Sequence, residues 1–208
     1  MFYFYVTRLT RRTCLQCYHF PMHCAGFLLA GGRSSRMGSN KALLPFKGKT
    51  LIEHIAAEVS TVTHDVTLIG DSRLYVNFGY PIIQDIFVRC GPLSGIHAAL
   101  HHSTAERNLI VACDMPEITA EFLSGLIERA EQGSADVVLP MGPSGLPEPL
   151  CAVYHARALP VIEQALRRGV RKVTDGLQGL AVELWRVPDS RLFHNLNTPE
   201  DWAAYLHA

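Results

Sequence analysis

Residues 29–41 carry the residue types and spacing best suited to binding a polyphosphate. They read Leu-Ala-Gly-Gly-Arg-Ser-Ser-Arg-Met-Gly-Ser-Asn-Lys and follow a short apolar run. The adjacent Gly31 and Gly32 let bare backbone approach a ligand, and successive N–H groups in such a turn cradle an anion. Arg36 and Lys41 add two positive charges. The segment therefore predicts a phosphate-binding loop at the end of a strand.

This segment matches neither of the common phosphate-binding motifs. A Walker loop needs Gly-Lys-Ser/Thr at its end, which Gly38 and Ser39 do not supply, and the glycines are too close for G-x-G-x-x-G. The alternative is a plain glycine turn with solvated arginines. The whole string, with Lys41 after Gly38, favours phosphate binding.

Asp114 is the second residue whose position suggests chemistry. It follows the continuous apolar run 108–113, which is typical of a central strand buried on both faces. A carboxylate at that strand end can hold Mg²⁺, which takes one or two protein carboxylates together with phosphate oxygens. The alternative is a helix cap, which Pro116 and a helix start at Thr119 make less natural. We expect a magnesium-binding role for Asp114.

Three further features follow apolar segments and could contact a ligand. Asp85 follows a short strand and could hold a ribose hydroxyl, although it could equally be an ordinary post-strand Asp. Residues 91–95, Gly-Pro-Leu-Ser-Gly, open a helix whose N–H groups can face an anion, or simply start the helix. Asn195 and Asn197 share one face of an extended segment. Their amides could bind a polar ring-bearing substrate or tie down the C-terminal turn.

Composition bounds the class of protein. The chain has 208 residues, 48% of them hydrophobic, which is enough for one domain with a substantial core. Its formal net charge is zero, so a nucleic-acid partner is disfavoured. No apolar run approaches the roughly 20 residues of a membrane span. The six scattered cysteines suggest reduced thiols and a cytoplasmic location.

The first residues differ from the rest of the chain. Residues 1–21 mix aromatic and basic residues without a clear period and do not form a convincing secretory signal. We hypothesise that Met22 is the natural start and that residues 1–21 are a leader extension, disordered or not native. Residues 22–208 are then expected to form a single domain.

Strands and helices alternate along that domain. Apolar runs predict strands at 25–30, 66–70, 81–84, 108–113, 136–140, 149–154 and 181–187. Helical spacing predicts helices at 50–62, 93–101, 119–132, 156–168 and 172–180, with a short helix from Thr198. This order indicates an α/β fold, a three-layer sandwich with a mostly parallel sheet. Ligands of such sheets bind outside the carboxyl ends of the strands, where the glycine loop, Asp85 and Asp114 lie.

These features together resemble the molybdenum cofactor guanylyltransferases, the MobA family of nucleotidyltransferases. The resemblance covers the chain from about residue 24 onward and rests on five motifs in the family's order. They are the loop at 29–41, Gly-Pro-Leu-x-Gly at 91–95, Cys-Asp-Met-Pro at 113–116, Glu-Pro-Leu-x-Ala-x-Tyr at 148–154 and Asn-x-Asn-Thr-Pro-Glu-Asp at 195–201.

The resemblance implies a Rossmann-like nucleotidyltransferase fold and a reaction. GMP would pass from GTP, with Mg²⁺, to the terminal phosphate of molybdopterin, giving molybdopterin guanine dinucleotide and pyrophosphate. The implied nucleotide contacts are Leu29, Ala30, Gly31, Gly32, Lys41, Asp85 and Asp114. Asp114 would hold the metal, and catalysis is expected from Asp114, Lys41 and Arg36. Asn195 and Asn197 would lie near the pterin. Molybdoenzymes or their chaperones are the implied protein partners.

One position departs from the family pattern. The family usually has an asparagine after its second strand, whereas this chain has Asp71, and a carboxylate cannot donate as an amide does. Asp71 is the expected occupant of that nucleotide contact. Two alternative functions stay open: a cytidylyltransferase acting on the same pterin, and an inactive nucleotide-binding partner that delivers cofactor. Gly31-Gly32 and residues 91–95 favour guanine, and retention of Lys41 and Asp114 favours catalysis.

Overall fold

A seven-stranded β-sheet organises the described residues, 24–31, 40–196, 201, 202 and 205, of a computed structural model. The strands are β1 (Cys24–Leu29), β2 (Pro45–Phe46), β3 (Lys49–Thr50), β4 (Val66–Ile69), β5 (Ile82–Ile83), β6 (Arg107–Ala112), β7 (Val137–Met141), β8 (Cys151–His155) and β9 (Val182–Arg186). The main sheet has the order β5-β4-β1-β6-β8-β7-β9, and β2 and β3 form a separate hairpin.

The sheet is mostly parallel, as predicted. β1 pairs in parallel with both β4 and β6, while β8 alone of the seven runs antiparallel to its neighbours β6 and β7. This reversal has a consequence for the site. The beginning of β8 lies at the same edge of the sheet as the ends of β1, β4 and β6.

Helices cover both faces of the sheet. They are α1 (Leu51–Val62), α2 (Ser72–Tyr75), α3 (Pro92–His102), α4 (Ala120–Gln132), α5 (Leu159–Arg167) and α6 (Val173–Gly176). The apolar residues of α1 and α4 share one buried cluster with the sheet, and those of α3, α5 and α6 share the other. The predicted three-layer α/β sandwich is therefore confirmed. No helix among these residues is long and apolar enough to cross a membrane.

Local chemistry explains where helices begin and end. α1 starts with a capping box, in which the side chain of Thr50 accepts from the N–H of Glu53 and the Glu53 carboxylate accepts from Thr50. The predicted helix 156–168 instead begins as a tight 3-10 turn, because His155 caps the N–H of Arg157. The predicted helix 172–180 stops at Gly176, and Gly179 then adopts a left-handed φ of 92°.

Candidate functional site

The described start of the glycine-rich segment leaves central strand β1 at the carboxyl edge of the sheet. The N–H of Ala30 donates to the Ile69 carbonyl of β4 at 3.0 Å, which holds the chain on the sheet. The side chains of Leu29 and Ala30 are buried, whereas Gly31 is exposed. A Cβ at Gly31 would lie 3.5 Å from the Ile69 carbonyl oxygen, an ordinary contact. Packing on these neighbours therefore does not by itself require glycine at this position.

Lys41 begins the 3-10 turn Lys41–Leu43 at the other end of this segment. The Oδ1 atom of Asn40 accepts from the N–H of Ala42 at 3.1 Å and caps that turn. The hydroxyl of buried Tyr75 donates to the Ala30 carbonyl at 2.6 Å and accepts from Asn40 Nδ2 at 2.7 Å. One side chain from α2 thus contacts both ends of the segment. The sequence pattern gave no sign of this link, because Asn40 and Tyr75 are 35 positions apart.

Asp114 lies close enough to Lys41 for the positive charge of the lysine to act on its carboxyl. Asp114 lies in the turn that follows β6. Burial raises the pKa of its carboxyl, and the positive charge of Lys41 opposes that rise. The alternative role of Asp114 as the cap of α4 is not realised, since Thr119 caps that helix by accepting from the N–H of Phe122. The fold therefore brings the two residues predicted to carry charge chemistry to one place.

Glu148 is a second carboxylate at this edge, and the sequence pattern assigned it no role. It lies just before antiparallel β8, and burial raises the pKa of its carboxyl, as does the nearby charge of Asp114. Two hydrogen bonds oppose this rise and lower the pKa of Glu148. One comes from the Leu150 N–H, at 3.3 Å, and the other from the Asn195 side chain. Glu148 lies at this edge only because β8 runs antiparallel to β6, and the sequence pattern does not give the direction of that strand.

Asn195 is held over the end of β6. The N–H of its neighbour Leu196, which is buried, donates to the Asp114 carbonyl at 3.0 Å. The Asn195 Oδ1 atom is buried and accepts no hydrogen bond from the described residues. A buried acceptor without a donor costs free energy unless a ligand supplies one. The predicted substrate-binding position of Asn195 is therefore chemically suited to a ligand with an N–H or O–H group.

Asp85 and Asp71 occupy the outer part of the same edge. Asp85 follows β5 and has solvent access, yet neighbouring protein atoms remove part of its hydration and raise the pKa of its carboxyl. Its Oδ1 atom lies 3.7 Å from the position of a Cβ at Gly95 in α3. Asp71 follows β4 and caps α2, where it pairs with Arg73.

The first turn of α3 packs directly on β1. A Cβ at Gly95 would come within 2.7 Å of Leu29 Cδ2, so a side chain there would require the buried Leu29 side chain to shift. Gly91, which precedes the helix, has a left-handed φ of 72° that favours glycine. The motif at 91–95 is thus explained by backbone shape and close packing. The same packing aims the start of α3 at the carboxyl edge.

Several residues named from the sequence lie outside the described residues. They are Gly32 and Arg36 of the glycine loop, Asn197, and the proposed leader 1–21. The roles expected for them stay predictions.

A groove of about 1060 Å³ opens at the opposite edge of the sheet. Its lining includes Cys24, Val66 and Arg107, which begin β1, β4 and β6. It contains none of the residues predicted to bind nucleotide. The polar cluster at the carboxyl edge is therefore the candidate site.

The model of the MobA-like NTP transferase domain matches residues 26–182 of the chain. This match includes Gly31, Asp85, Asp114 and Glu148. The chain belongs to the MobA-like NTP transferase family. The predicted resemblance and the prediction of a nucleotidyltransferase are confirmed.

Individual relatives agree with this assignment. A probable molybdenum cofactor guanylyltransferase of Flavobacterium johnsoniae is 35% identical over 177 residues, covering 84% of this chain and 92% of the relative. A molybdenum cofactor guanylyltransferase of Desulfosudis oleivorans is 35% identical over 185 residues, covering 85% and 91%. The crystal structure of a molybdopterin-guanine dinucleotide biosynthesis protein A from Archaeoglobus fulgidus superposes with a TM-score of 0.76 at 29% identity, covering 86% of this chain and 95% of that one.

Proposed function

We propose that this protein is a molybdenum cofactor guanylyltransferase. It transfers GMP from GTP to the terminal phosphate of molybdopterin, and the products are molybdopterin guanine dinucleotide and pyrophosphate. The observation that carries the proposal is the placement of Asp114 just after β6 at the carboxyl edge of the sheet, within electrostatic range of Lys41 at the end of the glycine-rich segment. The names of the relatives from Flavobacterium johnsoniae and Desulfosudis oleivorans support the choice of substrates.

The nucleotide binds along the edge formed by β1, β4 and β6. Backbone groups from Leu29 to Gly32 cradle the phosphates, and Lys41 and Arg36 neutralise their charge. Asp85 contacts the ribose. Asp71 occupies the position where the family usually has an asparagine.

The donor set at Asp114 fits Mg²⁺. Mg²⁺ keeps several waters and needs only one or two protein carboxylates, the remaining ligands coming from substrate phosphates. Asp114 supplies one carboxylate, and its charge lies near enough to Glu148 to raise the pKa of that second carboxyl. No group of three or more His, Cys, Asp or Glu suited to a metal occurs in the described part of the chain, which agrees with a cation held jointly with the nucleotide. When bound, the ion would stabilise the charge that develops on the phosphates.

The acceptor binds on the side of Asn195 and Asn197. The buried Oδ1 atom of Asn195 suits a ring N–H of the pterin as its missing donor.

The reaction needs no nucleophile from the protein. A terminal-phosphate oxygen of the pterin forms a bond to the α-phosphorus of GTP, and the bond from that phosphorus to the bridging oxygen breaks. Pyrophosphate leaves with the electron pair. The protein contributes by positioning the two phosphates and by charge compensation, chiefly from Lys41.

The four described cysteines that carry free thiols support a reducing compartment, and we place the reaction in the cytoplasm.

Pyrophosphate release with Mg²⁺ and molybdopterin, compared between GTP and CTP, tests the proposal. Release with GTP alone is the expected result. Release with CTP would make the protein a cytidylyltransferase for the same pterin. A folded protein that binds nucleotide but releases pyrophosphate with neither would instead be a partner that delivers cofactor to molybdoenzymes or their chaperones.

A further inference from the structure

Tyr75 is a buried polar residue that contacts both ends of the glycine-rich segment but has no part in the function proposed above. It ends α2 and is 1% exposed. Its ring lies against the backbone of Gly70, where a Cβ would come within 2.9 Å of Tyr75 Cε2. The absence of a side chain at Gly70 therefore leaves room for the ring in this position.

The hydroxyl of Tyr75 forms two hydrogen bonds, one as donor and one as acceptor, with two separate parts of the chain. It donates to the Ala30 carbonyl at 2.6 Å and accepts from Asn40 Nδ2 at 2.7 Å. Burial raises the pKa of Tyr75 to about 12, so the phenol keeps the proton that the bond to Ala30 requires. Ala30 is the residue that follows β1, and Asn40 directly precedes Lys41.

Asn40 transmits this contact to Lys41. Its Oδ1 atom accepts from the N–H of Ala42 at 3.1 Å, so both ends of the amide have partners and its orientation is determined. Lys41 lies between the capping residue and the capped N–H. Its backbone is consequently held at a set position relative to Ala30 and the end of β1.

We propose that Tyr75 is a positioning residue that places Lys41 against the phosphates of the bound nucleotide. The inference rests on the proposed function, in which Lys41 binds phosphate. Tyr75 does not itself touch the substrate. It acts through Asn40, and its loss frees Lys41 to take positions where the ammonium group no longer meets the phosphates.

Tyr75→Phe tests this inference, because it removes only the hydroxyl. The Kd for GTP in the presence of Mg²⁺, measured by calorimetry, should rise about ten-fold, since a displaced cation loses much of its interaction with phosphate. Lys41→Ala should weaken binding at least as much. In the double variant, Tyr75→Phe should add nothing to the effect of Lys41→Ala, because a residue that acts only through Lys41 has no effect without it.

A matched control separates positioning from stability. Thr63 is buried near the opposite edge of the sheet, and its hydroxyl donates to the Val59 carbonyl at 2.9 Å. Thr63→Val should lower the melting temperature without changing the Kd for GTP. If Tyr75→Phe behaves in the same way, or if its effect adds fully to that of Lys41→Ala, Tyr75 is only a structural residue.

Asn40→Ser provides a second variant should Tyr75→Phe fail to fold. Serine can still cap the N–H of Ala42 but is too short to reach Tyr75, so the same rise in Kd is expected. An unchanged Kd in Asn40→Ser would overturn the proposal. Nucleotide binding is measured without pterin, so a wild-type protein that binds GTP but forms no product would refute the proposed function alone. If the protein binds CTP in preference to GTP, the Kd values of the same variants are measured with CTP, and the same order of Kd values is expected.

Discussion

Asp71 is engaged by Arg73 through both of its carboxylate oxygens. The Arg73 Nε donates to Asp71 Oδ1 at 3.0 Å and a terminal guanidinium nitrogen donates to Oδ2 at 2.6 Å, while the Arg73 backbone N–H also donates to Oδ1 at 3.0 Å. These bonds lower the pKa of Asp71 to about 2. At the position expected from the resemblance to correspond to the family's asparagine, this chain thus has a carboxylate that is already paired.

Asp71→Asn is expected to strengthen nucleotide binding. The change removes a negative charge near the proposed triphosphate site, supplies an amide donor and releases the charge of Arg73 from its pair. We expect the Kd for GTP to fall about three-fold, as is typical of a single exposed charge contact. Calorimetric titration with GTP measures it.

Asp189 offers a matched control for this change. It binds Arg191 with the same arrangement of three hydrogen bonds, of which the terminal one measures 2.8 Å, but it carries no predicted nucleotide contact. Asp189→Asn should leave the Kd unchanged. An equal shift in both variants would mean that overall charge, and not the position of Asp71, sets the affinity.

Asp114→Asn is expected to abolish most activity without destabilising the fold. Loss of the carboxylate removes the proposed metal ligand, and pyrophosphate release should fall by about 100-fold or more. The melting temperature should stay level or rise, because burial disfavours the charged form of Asp114 and the amide carries no charge. Asp136, before β7, is the control, because its ion pair with Arg157 lies away from the site. Asp136→Asn should lower stability and leave the rate unchanged.

The α/β architecture could be predicted from the sequence because it follows from residue patterns within single segments of the chain. The apolar runs that became β1 and β6 and the helical spacing in α1 and α4 each lie within one segment. Asp114 could be placed at a strand end for the same reason. The direction of β8 was not readable, since an apolar run does not encode whether its neighbours run with it or against it.

The contacts that shape the site were also hidden. Tyr75 meets Asn40 across 35 positions, and Glu148 meets Asn195 only because β8 reverses direction. Such pairs depend on tertiary packing, which cannot be predicted from the hydrophobic periodicity of one segment. The motif that contains Glu148 was recognised, but nothing in it indicated which side chain would face the site.

Glu148 and Asn195 are expected to act together on the acceptor. The Asn195 amide donates to the Glu148 carboxylate, whereas the buried Asn195 Oδ1 atom has no donor among the described residues. Glu148→Gln can rotate that amide, because glutamine offers a donor as well as an acceptor. The KM for molybdopterin should rise about ten-fold with little change in the KM for GTP.

A double variant shows whether the two residues form one unit. In the Asn195→Ala background, Glu148→Gln should cause no further rise in the KM for molybdopterin. Fully additive effects would indicate that Glu148 contacts a substrate independently of Asn195. An increase confined to the KM for GTP would place the pair on the nucleotide side.

His97 is expected to make the stability of the fold sensitive to acid. It lies in α3 at 2% exposure, and neither ring nitrogen has a hydrogen-bond partner in the described part of the chain. Burial lowers the pKa of His97 below 6.5, and His101 and Arg167 act in the same direction, while Glu163, whose Oε2 lies 4.0 Å from Nε2, opposes them. The Phe87 ring packs perpendicular to the His97 ring, with the ring centroids 4.9 Å apart.

The sign of the effect follows from proton uptake. Below the ordinary pKa of 6.5 the unfolded chain binds a proton at His97 more readily than the folded protein does, so the free energy of unfolding falls as pH decreases through that value. Urea unfolding at about pH 7.5, 6.5 and 5.5 should show this loss in the wild type, and His97→Leu should reduce it. His102→Gln, at the exposed end of the same helix, should retain the wild-type slope. If His97→Leu keeps the full slope as well, other groups cause the acid sensitivity.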